Sequence, residues 1–374
     1  MMVVKFVIFF ALVYYCDCSS SKHSIHSDNS RKQNEDGLYL VHVICRHGDR
    51  TPRLTYAQDP YKNQRYYPVG LGQLTKNGKQ RMYNVGIALK KRYQEFLGNF
   101  YLPWQVKIRS SSLDRTQMTA QLVMAGMYPP KTAQIWNKNL TWQPISMEIL
   151  PYKQDRIFLA DHSCPKFNNL LKENIQHAKE SGKFNKYEYM FKNLRKHTGQ
   201  NVQTPEDVLR IYDTLMCQKE WGLKLPSWAD NYFLETMKDV AETYWNDYVP
   251  TSEIKKLNIG AMLKKINDDI SNKIKGDPNS KEMKFYLWSG HDSNLVALLQ
   301  TMGAYDGYIV PYGAHIIIEV HKKGKGHVVK VFYQNNKEKE PKLLRLDGCS
   351  SKTCDYNDFV DYFKKYFLDA DENC

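Results

Sequence analysis

From residue 38 to residue 45 the chain runs almost without interruption through Leu, Tyr, Val and Ile. A strand with one wet face alternates in polarity. An unbroken apolar run therefore predicts a strand covered on both faces, as in the interior of an α/β sheet. Thr75 is a good helix N-cap; Met82, Val85, Leu89, Tyr93 and Phe96 follow at helical spacing, and Gly98 is placed to close the helix. Residues 106–110 predict a second short strand. Asp114, with Gln117 three residues later, matches a capping box opening a helix that stops before Pro129-Pro130. Residues 284–289 predict a third strand, and 293–302 a helix ended by Gly303. Residues 314–320 and 327–333 flank a Lys/Gly turn and predict a β-hairpin.

Between about residues 152 and 270 no clear strand pattern recurs, and helical stretches rich in Lys, Asn, Trp and Tyr take over. No internal repeat is visible. The simplest architecture is a three-layer α/β/α core with a central mixed sheet, built from residues 37–150 and 271–374. A smaller helical cap domain, 151–270, is inserted between its halves. The N-terminus reads differently. A short basic lead, an apolar run from Phe6 to Tyr15 too short to span a bilayer, and Cys16 and Cys18 before Ser19 predict a signal peptide over 1–18. The polar stretch 19–36 then reads as a flexible leader. No later segment approaches about 18 consecutive apolar residues, so the expectation is secretion without a membrane anchor.

The 374 residues are 42% hydrophobic and 25% charged, ordinary values for a globular chain. The formal charge of +13 could attract polyanions, yet the lysines are scattered. The densest clusters, 322–325 and 337–342, read as solvated turns, so no nucleic-acid partner is expected. Export changes how the cysteines read. After loss of a signal peptide six remain, Cys45, Cys164, Cys217, Cys349, Cys354 and Cys374, with no CxxC pair; disulfides fit better than zinc. Asn139-Leu140-Thr141 is a glycosylation sequon and suits the same route.

The first strand ends in Arg46-His47-Gly48-Asp49-Arg50-Thr51-Pro52. Ligands of α/β sheets bind at the carboxyl ends of strands, so this loop presents two guanidinium forks and an imidazole where a substrate would sit. Guanidinium donors match two phosphate oxygens at once, Gly48 permits close backbone approach, and an imidazole between them can attack phosphorus. The seven residues together would recur by chance in on the order of one in a million chains of this length. His291-Asp292 ends another apolar strand and opens a helix, whose N-terminus favours a bound phosphate.

The loop resembles the signature of the histidine acid phosphatases, within the histidine phosphatase superfamily, and the likeness covers about residues 37–374. Asp114-Arg115-Thr116-Gln117-Met118, Trp142-Gln143-Pro144 and Leu225-Pro226-Ser227-Trp228 look most like the venom acid phosphatases of bees and wasps. The resemblance implies an α/β core with a helical cap, acid hydrolysis of phosphate monoesters on small phosphorylated substrates, and no metal or other cofactor. Residue by residue it implies His47 as nucleophile, and Arg46 and Arg50 as phosphate-binding arginines. Arg109 would be a third such arginine from the second strand end, His291 a phosphate-binding histidine and Asp292 the proton donor. It also implies disulfides Cys164–Cys374 and Cys349–Cys354, with Cys45 and Cys217 free, and it leaves room for a homodimer.

Rival chemistries are weaker. The spacing from Cys45 to Arg50 is one residue short of the loop a cysteine-dependent phosphatase needs, and Cys45 reads as a buried strand residue. The 11 histidines are scattered without metal-ligand spacing. A secreted phospholigand-binding protein without turnover would show damage at His47, an arginine or Asp292, and all are intact. A phytase-like or lysophospholipid-directed hydrolase would share the chemistry and differ in the cap, where Phe158, Asp161 and His162 are candidates for the mouth of the site.

Overall fold

The computed structural model describes residues 37–335, 338–369, 372 and 374; the signal peptide and leader expected over 1–36 lie outside them. In chain order the elements are β1 (Gly37–Arg46), α1 (Lys76–Leu97), β2 (Val106–Ser110), α2 (Asp114–Met127), β3 (Glu148–Ile149), α3 (Ala160–Ser163) and α4 (Pro165–Glu180). There follow α5 (Glu188–Thr198), α6 (Pro205–Glu220), α7 (Asn231–Asn246), α8 (Ser252–Ile274), β4 (Phe285–Gly290) and α9 (Asp292–Thr301). The chain ends with β5 (His315–Lys323), β6 (Gly326–Gln334), β7 (Lys342–Leu343), β8 (Cys354–Asp355) and α10 (Tyr356–Phe363).

The strands form one mixed sheet in the order β3-β2-β4-β1-β5-β6-β7, with β8 beside β6. The first four are mutually parallel, and β5 turns back antiparallel to β1. Alternation along β1 shows why the run is apolar throughout. Val41, Val43 and Cys45 join Phe285, Leu287 and Ile317 under α1 and α2, while Leu40 and Ile44 join Trp288, Ile316 and Ile318 under α8, α9 and α10. Both faces are covered, as an interior strand requires. The fold is the α/β/α sandwich that the pattern predicts.

Local signals act as read in α1, where Thr75 Oγ1 accepts from the Gly78 N–H at 3.0 Å and Gly98, at φ 68°, ends the helix. The capping box expected at α2 is corrected. Asp114 is the first helical residue, the N-cap is Leu113 without a capping side chain, and Gln117 donates instead to the Ser112 carbonyl at 2.9 Å. The chain enters this helix extended at Leu113, one residue early, so the carboxylate sits in the first turn beside the helix dipole.

The helices between residues 184 and 240 have an apolar cluster of their own, with Phe191, Leu194, Val208, Leu215 and Met237 at its centre. α8 belongs to the sheet instead, where Leu263, Ile266 and Ile270 pack into the cluster that holds Trp288. Cys164–Cys374 and Cys349–Cys354 are disulfides, and Cys45 and Cys217 are free and buried. The first spans a separation of 210 residues, a loop whose closure stabilises by about 5 kcal/mol in the chain-entropy account.

Candidate active site

Parallel pairing of β1, β4 and β2 brings three strand ends to one place. Arg46 stands in register with Gly290, and Ser110 with Ser289. The backbone continues the pairing one step further: His47 N–H donates to the Gly290 carbonyl at 3.1 Å and Ser111 N–H to Ser289 at 3.2 Å. The His47 and His291 rings therefore lie 5.7 Å apart, though 244 positions separate them in the sequence. The loop after β1 is clamped by the start of α1. A Cβ on Gly48 would stand 2.6 Å from the Gly78 carbonyl oxygen, and one on Gly78 2.1 Å from that of Asp49. The Asp49 carboxylate takes two hydrogen bonds from Arg81, at 2.6 and 3.0 Å, and so fixes the loop rather than facing the site.

His47 is 2% exposed, and its Nδ1 is 2.9 Å from the Gly48 carbonyl. A carbonyl only accepts, so Nδ1 carries the proton and Nε2 keeps its lone pair. Burial first, then Arg115, Arg46 and Arg50, hold the ring well below the usual imidazole range, so it stays neutral in acid. Arg46 donates to the Val310 carbonyl, pairs with Asp292 at 2.9 Å and lies 4.0 Å over the Tyr312 ring. Arg50 Nη2 donates to both carboxylate oxygens of Asp213 in α6, each at 2.8 Å, and Nη1 lies 3.3 Å from Cys217 Sγ.

His291 caps α9, with Nε2 3.0 Å from Ser111 Oγ; burial and Arg115 push its ring down to about 3. Asp292 is the first residue of α9. Burial raises its carboxyl, but Arg46, Arg53 and His291 outweigh that and bring it down to about 2. Without an anion nearby it is ionised. Both groups border a cavity of about 250 Å³ that His47, Arg50, Arg53 and Arg115 also line, with Phe158, Asp161 and His162 in its wall.

Arg109 is not in this cavity, contrary to the expectation from the second strand end. Its guanidinium donates to Asp269 at 2.6 Å and Glu148 at 2.9 Å, and lies 4.4 Å over Trp288. Side chains alternate along β2, and Arg109 faces α8, where Asp269 takes its charge. Arg115, in the first turn of α2, lines the cavity instead. Its Nε is buried without a partner, as are those of Arg46 and Arg50. Burial, with Arg50 and Arg53 next, lowers the Arg115 guanidinium to about 10, and the Asp292 carboxylate offsets them only in part. A signal was present in the sequence, since a cation in a helix's first turn opposes the dipole and calls for an anion elsewhere.

Cys45 is fully buried on the α1 side of β1, its thiol pushed up to about 12 by burial. Asn139 is exposed. Among the described residues no group of three His, Cys, Asp or Glu side chains is placed to hold a metal, and no helix is long and apolar enough to cross a membrane.

An imidazole with a free Nε2, flanked by guanidinium donors at the carboxyl edge of a mixed sheet, is an arrangement suited to binding a phosphoryl group. Residues 38–334 match the histidine phosphatase superfamily (branch 2), and the chain belongs to that family. A venom acid phosphatase of Apis mellifera is 37% identical over 316 residues, covering 83% of this chain and 81% of that protein. A lysosomal acid phosphatase of Homo sapiens is 32% identical over 328 residues, covering 86% and 76%. Among solved structures, Hafnia alvei phytase in complex with myo-inositol hexakis sulphate superposes with a TM-score of 0.67 over 90% of this chain and 98% of that one. At 14% identity that likeness is of fold.

Proposed function

We propose that the chain is an acid phosphatase that hydrolyses phosphate monoesters through a phosphohistidine on His47. The observation that carries this reading is the His47 ring: Nδ1 is tied to its own loop, Nε2 is free, and burial and guanidinium charge hold it neutral. Arg50, Arg115 and Arg46, with unpartnered buried Nε–H groups, receive the phosphoryl oxygens and stabilise the charge of the transition state. His291 Nε2 is held 3.0 Å from Ser111 Oγ, and Nδ1 is the ring atom left for the phosphoryl group. Nε2 attacks phosphorus in line, and the P–O bond to the leaving group breaks. Asp292 gives that oxygen its proton, and the resulting carboxylate then activates the water that cleaves the P–N bond. The phosphate's negative charge opposes the arginines and raises the Asp292 carboxyl when substrate is bound, so its protonated form is reached in acid.

Within the segment 151–270, the helices that share the separate apolar cluster serve as the cap, and α8, packed on the sheet, is the part that belongs to the core. Two disulfides, an exposed sequon at Asn139 and the signal-peptide pattern over 1–18 support export.

Turnover of p-nitrophenyl phosphate at acid pH should survive EDTA and be inhibited by vanadate, a phosphoryl mimic. Full loss in EDTA, restored by zinc or magnesium, would overturn the assignment. The two arginines should separate in a second experiment. Arg115→Ala should cost about 10²-fold in kcat/KM, as loss of a preorganised donor does. Arg109→Ala should lower stability by about 2 kcal/mol, because it leaves the buried Asp269 carboxylate with Lys265 as its remaining cation, with a much smaller kinetic effect. The reverse pattern would return Arg109 to the site.

A further inference from the structure

Three residues beyond Arg50, Arg53 lines the cavity beside Arg115, His291 and Asp292, and its side chain is exposed. The hydrolysis described above does not use it. Arg46 is held by Asp292 and Arg50 by Asp213, whereas among the described residues Arg53 makes no ion pair. Asp161, across the mouth, pairs with His162 at 3.3 Å instead.

The position of this charge matters. In an in-line reaction the leaving oxygen stands opposite His47, on the Asp292 side. There Arg53 is the next guanidinium after Arg46 to act on the Asp292 carboxyl, and it acts also on Asp161 and Tyr152. In the reacting state Asp292 is protonated, so a phosphate dianion and Asp213 together offset three guanidinium groups, those of Arg46, Arg50 and Arg115. Arg53 has only the longer-range attraction of Asp161, with no direct ion pair, and stands next to the path by which the alcohol part of the substrate leaves the cavity. Leu113, Phe158 and Leu159 give that cavity an apolar wall against which a carbon framework can lie.

We propose that Arg53 forms a second anion subsite, and that the preferred substrates are phosphate monoesters whose leaving alcohol or phenol carries a further negative charge. The inference rests on the cavity being the phosphatase site. Carboxylate and phosphate are the two sources of such a charge, and Arg53 suits either.

The test compares kcat/KM for 3-carboxyphenyl phosphate, 3-carbamoylphenyl phosphate and 1,3-phenylene bisphosphate at low salt. The charged esters should exceed the neutral carbamoyl ester by roughly 5-fold, the upper range for an ion pair open to solvent, and the ratio should fall as salt is added. In Arg53→Gln the ratio should collapse towards one, and in Arg53→Lys most of it should return; unchanged melting temperatures show that both variants are folded. Whichever charged ester leads identifies the anion the subsite takes. Equal kcat/KM for charged and neutral esters in the unmodified protein, or a preference that survives Arg53→Gln, would overturn the subsite while leaving the phosphatase reading intact. Failure to hydrolyse any of the three would remove both.

Discussion

Replacing His47 with alanine is expected to lower turnover on every phosphate monoester by a similar factor, on the order of 10⁵. The substitution deletes the only atom that forms a bond to phosphorus in the first step, so the leaving group cannot change the size of the loss. The arginines remain in place. Arg50 stays fixed by Asp213 and Arg46 by Asp292 and the Val310 carbonyl, so inorganic phosphate should still bind. Retained phosphate binding, measured by calorimetry, shows that the variant is folded and that only the chemistry is lost. A loss below about 10-fold, with phosphate binding intact, would mean that another group attacks.

The second large effect depends on the substrate. Asp292→Asn keeps the size of the side chain and an oxygen for Arg46, and its position at the start of α9 is unchanged. An amide cannot give up a proton. A phenolate with electron-withdrawing substituents leaves as an anion and needs little protonation. An alkoxide is strongly basic, and general acid help is worth ~10²–10⁴-fold. Formation of the phosphoenzyme should therefore slow by about that factor for an alkyl phosphate and far less for p-nitrophenyl phosphate. Single-turnover kinetics are required, because Asp292 also serves the water attack and would mask the contrast in steady state. Equal losses in the first step would move the acid to His291 or to a carboxylate of the cap.

The parts of this site that follow one another in the chain are legible in the sequence alone. A strand with both faces covered, followed by Arg46-His47-Gly48-Asp49-Arg50, announces its own position at a sheet edge. The apolar run before His291 and the helix after it do the same. What cannot be read is partnership across distance. Asp269 lies 160 residues from the Arg109 it neutralises, and Asp213 lies 163 from Arg50, so no local pattern tells a paired guanidinium from an open one. Arg109 and Arg115 both sit near the end of β2; side-chain alternation sends the first towards α8, and a turn of helix brings the second to the cavity. The two-residue strands β3, β7 and β8 are too short to carry a periodicity.

The central claim is that phosphate passes through a covalent bond to His47 Nε2. Rapid quenching of the enzyme with substrate labelled in the phosphoryl group, followed by alkaline peptide mapping, tests it directly. The account predicts acid-labile, alkali-stable label on the peptide holding His47, as the Nε2-phosphohistidine isomer, forming no more slowly than turnover and absent from His47→Ala. Label on a different residue, or substantial turnover by His47→Ala with no labelled protein at any time, would contradict it.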